Sequence, residues 1–184
     1  GGETGYTETQ LYSSESNELD LDGHYNGVES FGNGATFNFD GTDATYGRVG
    51  SVLSGEGYGA GINSAFAAFT NIGAGFADGA GAFSAKVSGS ANGRLEVKLI
   101  GGGTDSIADI TLATYEGSTD LGDGWYDVTI PFSEFTNPEG VSSHSGYLIG
   151  MPGDNGAEQF TFKFTDISLV AGAGGETGGE TGGE

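Results

Sequence analysis

Cysteine is absent from the 184 residues, so neither a disulfide nor thiol chemistry is open to this chain. Cations are scarce: five Lys and Arg stand against 26 Asp and Glu, a formal net charge of −21. Nucleic acids and anionic membranes are held by clustered Lys and Arg, so this balance argues against both as partners. It fits instead a solvated protein of saline or extracellular surroundings. No apolar run approaches the roughly 20 residues needed to span a bilayer. Two histidines without cysteine make zinc a poor fit, and neither His24 nor His144 stands in a Ser/His/Asp arrangement that the sequence specifies. GxGxxG-like runs occur, but none lies between a strand and a helix, which argues against dinucleotide binding.

What is present is alternation. In Gly124 to Phe135, GWYDVTIPFSEF, the residues Tyr126, Val128, Ile130 and Phe132 fall on one side of an extended segment and Trp125, Asp127 and Thr129 on the other. That period of two marks a strand with one buried face. AFSAKVSG sets Phe83, Ala85 and Val87 against Ser84 and Lys86, and RLEVKLI sets Leu95, Val97 and Leu99 against Glu96 and Lys98. QFTFKFTDISLV buries Phe160, Phe162 and Phe164, then slips phase near Asp166 to Ile167 and Leu169, the signature of a β-bulge. Between Tyr58 and Phe76 apolar spacings of three and four occur, but the glycine density disfavours a helix beyond one turn near Ala65 to Phe69. Glycine, at 38 residues, punctuates these segments instead of clustering. Short strands joined by Gly-rich turns predict an all-β, two-sheet antiparallel β-sandwich of about eight to ten strands.

Residues 1–10 and 172–184 repeat a Gly/Glu/Thr unit, which is linker composition, extended by repulsion between Glu176, Glu180 and Glu184. Matching linkers around a single domain at 11–171 predict an interior module of a multimodular protein.

The succession FSAKVSG, RLEVKLIGGG, GWYDVTIPFSEF, YLIGMPG and FTFKFTDISLV resembles the jelly-roll, galactose-binding-like carbohydrate-binding modules of secreted bacterial polysaccharide-degrading enzymes, here of marine type. The most specific parts are Gly124 to Phe132 and Phe164 to Leu169, within a resemblance that covers roughly Phe31 to Val170. It implies a jelly roll, a secreted monomer and a covalently linked catalytic domain. It also implies a structural Ca²⁺ that ties the N-terminal region to an Asp of the last strand, which matches Asp166.

Calcium takes about six to eight oxygens, and the loop-side acids Asp20, Asp22 and Asp40 join Asp166 as candidate ligands, with Glu18, Asp43 and Asp154 nearby. For sugar binding, pyranose rings need an aromatic surface for their C–H faces and oriented polar groups for their hydroxyls. Trp125, the single tryptophan, is the candidate platform; in the resembled modules a Trp at this position often packs at the end of the sandwich. Lys86, Glu96 and Lys98 supply polar groups from strands, where they also suit ordinary cross-strand pairing. Tyr58, Asn63 and Arg48 form a second, loop-edge set. Paired carboxylates discriminate nothing in so acidic a chain.

The expectation is a noncatalytic module that binds a polysaccharide, with a laminarin-type β-glucan favoured, and targets a tethered enzyme. The alternatives are a small jelly-roll lyase or glycosidase, and a structural or adhesive spacer of a cell-surface protein.

Overall fold

A computed structural model of the chain describes residues 8–15, 25–29, 36–53, 66–70, 81–89, 93–100, 106–137, 147–151 and 161–170. Among them are twelve strands and one 3-10 turn. The strands are β1 (Glu8–Tyr12), β2 (Tyr25–Glu29), β3 (Thr36–Asp43), β4 (Gly47–Leu53), β5 (Phe66–Thr70) and β6 (Ala82–Ser88), followed by β7 (Arg94–Ile100), β8 (Ser106–Thr111), β9 (Ser118–Gly122), β10 (Trp125–Pro131), β11 (Tyr147–Met151) and β12 (Thr161–Val170). The 3-10 turn covers Phe132–Glu134.

Two antiparallel sheets result. One has seven strands, ordered β3-β4-β12-β6-β10-β9 with β1 also on β12; the other has five, ordered β2-β5-β11-β7-β8. The all-β sandwich expected from alternation is therefore the fold. Two boundaries differ from expectation. Residues 8–10 belong to β1 and pair with β12, so the N-terminal linker ends earlier than position 10. Phe66 to Thr70 is strand β5, not a helical turn: it pairs with β2 on one side and β11 on the other, and those two ladders satisfy its backbone groups.

The inward sides of the alternating strands make the core. Phe83, Ala85 and Val87 of β6, Leu95 and Val97 of β7, Val128 and Ile130 of β10, and Phe162 and Phe164 of β12 all belong to it, and Tyr12, Phe132 and Phe135 close it. Each large side chain buried there contributes about 1.5–3 kcal/mol by leaving water.

Two local features position the outer surface. Asp123 and Gly124, both at positive φ (53° and 80°), form the two-residue turn of the β9–β10 hairpin, a conformation that Asp-Gly accepts with little strain. Asp166 sits at φ 48°, where the β12–β6 register shifts between Thr165 and Ser168. This is the bulge that the phase slip predicts. Ahead of it β4 pairs with Thr161–Phe164, and behind it β1 pairs with Ile167–Val170. One edge of β12 is thus shared by two strands, with the bulge at their junction.

Candidate functional site

The outward face of the seven-stranded sheet carries mostly polar residues, of which Thr165 and Ser168 on β12 are covered and buried. Its first in-register row reads Asn38, Ser51, Lys163, Ser88 and Trp125, one residue from each of β3, β4, β12, β6 and β10. The second reads Thr165, Lys86, Asp127 and Thr119. A third reads Ser168, Ser84 and Thr129. Alternation forces this: each residue flanks inward-facing core residues such as Phe83, Ala85, Val87 and Val128. Neighbouring strands lie about 4.8 Å apart, so the rows set hydroxyls, an ammonium and a carboxylate at regular intervals across the sheet.

An aromatic pair crosses this face. Tyr46, in the turn between β3 and β4, meets the Trp125 ring with centroids 4.7 Å apart and planes tilted by 41°. Because β12 and β6 lie between β4 and β10, the turn must fold over the sheet to make the contact. Asp43 fixes that turn by accepting the backbone N–H groups of Thr45 (2.8 Å) and Tyr46 (3.0 Å). Those two bonds hold its carboxyl below the usual carboxylate range.

At the bulge, Asp166 is a hub. Its Oδ1 accepts the N–H of Ser14 at 2.9 Å, and its Oδ2 lies 3.2 Å from Lys86 Nζ. Burial alone would raise its pKa; the Ser14 N–H and the Lys86 ammonium outweigh this and hold it below the ordinary value. Arg48 N–H in turn donates to the Ser14 carbonyl at 3.1 Å, and the Thr165 hydroxyl donates to the Arg48 carbonyl at 2.8 Å. The Arg48 guanidinium stacks 4.4 Å above the Tyr12 ring, lies 3.7 Å from Asp40 and donates to the Ser13 carbonyl. Burial pushes the Tyr12 phenol up to about 12, partly offset by Arg48.

These positions correct several expectations. Trp125 is only 4% exposed, covered by Tyr46, so it is not an open platform. Arg48, 8% exposed, closes the sandwich end and does not present itself to a ligand from a loop edge. Lys86 and Trp125 lie on the seven-stranded sheet, whereas Glu96 and Lys98 lie on β7 of the five-stranded sheet, so the four form no common strip. The ion-pair partner of Lys86 is Asp166, on the neighbouring strand β12. Tyr58 and Asn63 lie outside the described residues, as do Asp20 and Asp22.

For calcium, the described carboxylates divide. Asp166 is half-buried and paired with Lys86 at 3.2 Å; Asp40 is paired more loosely with Arg48 at 3.7 Å and has a side chain 81% exposed. Among the described residues, no three His, Asp or Glu side chains converge on one point. Tyr46, Ser51, Ser84 and Ser88 were not expected at the site, since nothing in a Tyr-Gly or a lone Ser marks it as part of a sheet face.

No family model matches the chain, and no curated protein matches it. Solved structures do. The family 11 carbohydrate-binding module of the cellulosomal cellulase Lic26A-Cel5E of Clostridium thermocellum superposes with a TM-score of 0.57 at 15% identity, over 91% of this chain and 96% of that one. The fold is that of carbohydrate-binding modules. The family 30 carbohydrate-binding module of the cellulosomal cellulase Cel9D-Cel44B of the same organism gives a TM-score of 0.55 at 14% identity, over 90% of this chain and 98% of that one. Another crystal structure of a family 30 carbohydrate-binding module gives 0.52 at 13% identity, over 90% of this chain and 88% of that one. Sharing this carbohydrate-binding-module fold over most of the length of each partner, the chain has the β-sandwich that its alternating segments suggest and the jelly roll that the resemblance implies. No helix among the described residues is long and apolar enough to cross a membrane.

Proposed function

We propose that this chain is a noncatalytic carbohydrate-binding module whose ligand lies across the outward face of the seven-stranded sheet. The observation that carries this reading is the set of in-register polar rows crossed by the Tyr46–Trp125 pair. Ser51, Ser84, Ser88 and Thr129 offer hydroxyls that both donate and accept, and Lys163 and Asp127 add one strong donor and one strong acceptor. Half-buried Tyr46, supported from beneath by Trp125, supplies the surface for the C–H face of a pyranose ring. Charge selects a neutral polymer: a net charge of −21 repels acidic polysaccharides, and Lys86 is already neutralised by Asp166. A β-glucan of the laminarin type is the favoured ligand.

The module acts on this reading as a secreted anchor. Its Gly/Glu/Thr linkers join it to a catalytic domain, and holding that domain on the polymer raises its effective concentration there. A structural calcium ion belongs to the same reading, with Asp20, Asp22 and the exposed Asp40 as its ligands and Asp166 left to Lys86; the acidic composition of 18–22 supports it.

Affinity electrophoresis in laminarin tests the proposal. Retardation that is lost in Tyr46→Ala, with no release of reducing ends, is the expected result. Reducing-end or unsaturated-product release would point to an enzyme, and inertness in both assays to a spacer.

A further inference from the structure

A second concavity lies away from that face, along the outer edge of β8 in the five-stranded sheet. Its volume is about 660 Å³, within the range of small-molecule sites. Two tethers bound it. At one end the Thr136 N–H donates to the Ile107 carbonyl at 2.9 Å, and the Ile107 N–H donates to Thr136 Oγ1 at 3.2 Å. At the other the Tyr115 N–H donates to the Thr111 carbonyl at 2.9 Å. Every second residue of a strand turns its backbone groups to the same edge, so Asp109, midway between Ile107 and Thr111, turns its own N–H and carbonyl toward the gap. Four residues of strand make that gap about 13 Å long.

The lining is amphipathic. Ile107 gives an apolar patch, with the buried core residues Ile110 and Ile130 behind it, and Thr111, Thr114 and Thr136 give hydroxyls along the rim. Tyr115 forms one wall, its hydroxyl donating to the Glu134 carboxylate. Burial, then that bond, pushes the phenol well above its usual range, so Tyr115 stays a neutral donor. Gly117 fixes the ring in place: a Cβ there would stand 2.2 Å from the Thr129 carbonyl oxygen and 2.5 Å from the Tyr115 ring. The wall is therefore set before any ligand arrives. Carboxylates of Glu116, Glu134 and Asp109 surround the opening, with Arg94 ion-paired to Asp109.

We propose that this cleft is a second sugar site, independent of the sheet face, which takes a hydroxyl-rich pyranose unit carrying no acid group. The ring's C–H face would rest on Tyr115 and Ile107, while its hydroxyls donate to the carboxylates and exchange bonds with the threonines and the β8 edge. The same carboxylates turn away uronates.

The test is a titration of the full chain, followed by backbone amide NMR, with laminarihexaose and separately with trigalacturonate. Laminarihexaose should shift the amides of Thr111, Thr114, Glu116 and Thr136, and trigalacturonate should not. Thr114→Trp, an exposed substitution that fills the cleft, should weaken those shifts at least about tenfold in apparent Kd. In Tyr46→Ala they should persist, which separates this site from the sheet face. Silent cleft amides beside shifting sheet-face amides would overturn the cleft and leave the sheet-face reading standing. Equal response to trigalacturonate, or shifts unaltered by Thr114→Trp, would also overturn it.

Discussion

Asp166 stands between Lys86 and Ser14, 3.2 Å from the ammonium of one and 2.9 Å from the N–H of the other, at the point where β1 and β4 meet along β12. One carboxylate of β12 therefore ties the segment that follows β1 to β6. Asp166→Ala should cost about 1–2 kcal/mol by leaving the Ser14 N–H without its charged acceptor. It also places alanine at φ 48°, which adds to the loss. Lys86→Ala should cost less, up to about 1 kcal/mol, since both side chains are 28% exposed. Urea unfolding of the two variants measures both, and a larger loss for Lys86→Ala would contradict the hub.

The same group carries a pH dependence. The folded Asp166 carboxyl titrates below its unfolded value, so its stabilising share is fully present above the ordinary aspartate pKa of about 3.9 and is lost as pH falls through the lower folded pKa. Asp166→Asn keeps the side-chain shape and tolerates a positive φ. Its deficit in melting temperature against the parent should be constant at neutral pH and shrink below about pH 4. A deficit that grows on acidification would refute the assignment.

Trp125 and Tyr46 should separate stability from binding. Trp125→Ala removes a ring that is 4% exposed and should cost about 3–5 kcal/mol. Tyr46→Ala uncovers Trp125 but empties less of the interior, so the fold should survive while laminarin affinity falls. Paired melting and affinity electrophoresis decide the matter, and a Trp125→Ala protein as stable as the parent would place the ring outside the packed structure.

Gly117→Ala should destabilise through contact alone. The added Cβ meets the Thr129 carbonyl oxygen, a backbone atom that cannot rotate away, and the Thr129 N–H to Gly117 carbonyl bond of 2.9 Å holds the two segments together. The expected cost is about 1–3 kcal/mol, accompanied by a changed Tyr115 ring signal. Thermal melts with aromatic NMR would show both.

Calcium is tested by melting in chelator and in millimolar CaCl₂. An ion at a hundredfold excess over its Kd adds about 2.7 kcal/mol, several degrees for a domain of this size, and Asp40→Ala should abolish the difference. Identical curves for the parent chain would remove the ion from the reading.

Alternation alone determined the strands: Phe83-Ala85-Val87, Leu95-Val97 and Val128-Ile130 are core in the structure as their spacing requires, because a period of two fixes which side of a strand leaves water. The bulge was legible as well, since a phase slip at Asp166 admits no other regular strand. The sheet to which each strand belongs was decided only by tertiary structure. Lys86 and Lys98 are on neighbouring strands in sequence with the same alternation, yet β6 enters the seven-stranded sheet and β7 the five-stranded one. Local pattern carries no term for long-range pairing, and here β3–β4, β7–β8 and β9–β10 stay in one sheet while β6 and β7 part to opposite ones. For the same reason the sequence set Trp125 on an outward row but could not place Tyr46 above it. That contact spans 79 positions, and only the folding of the β3–β4 turn across two strands creates it.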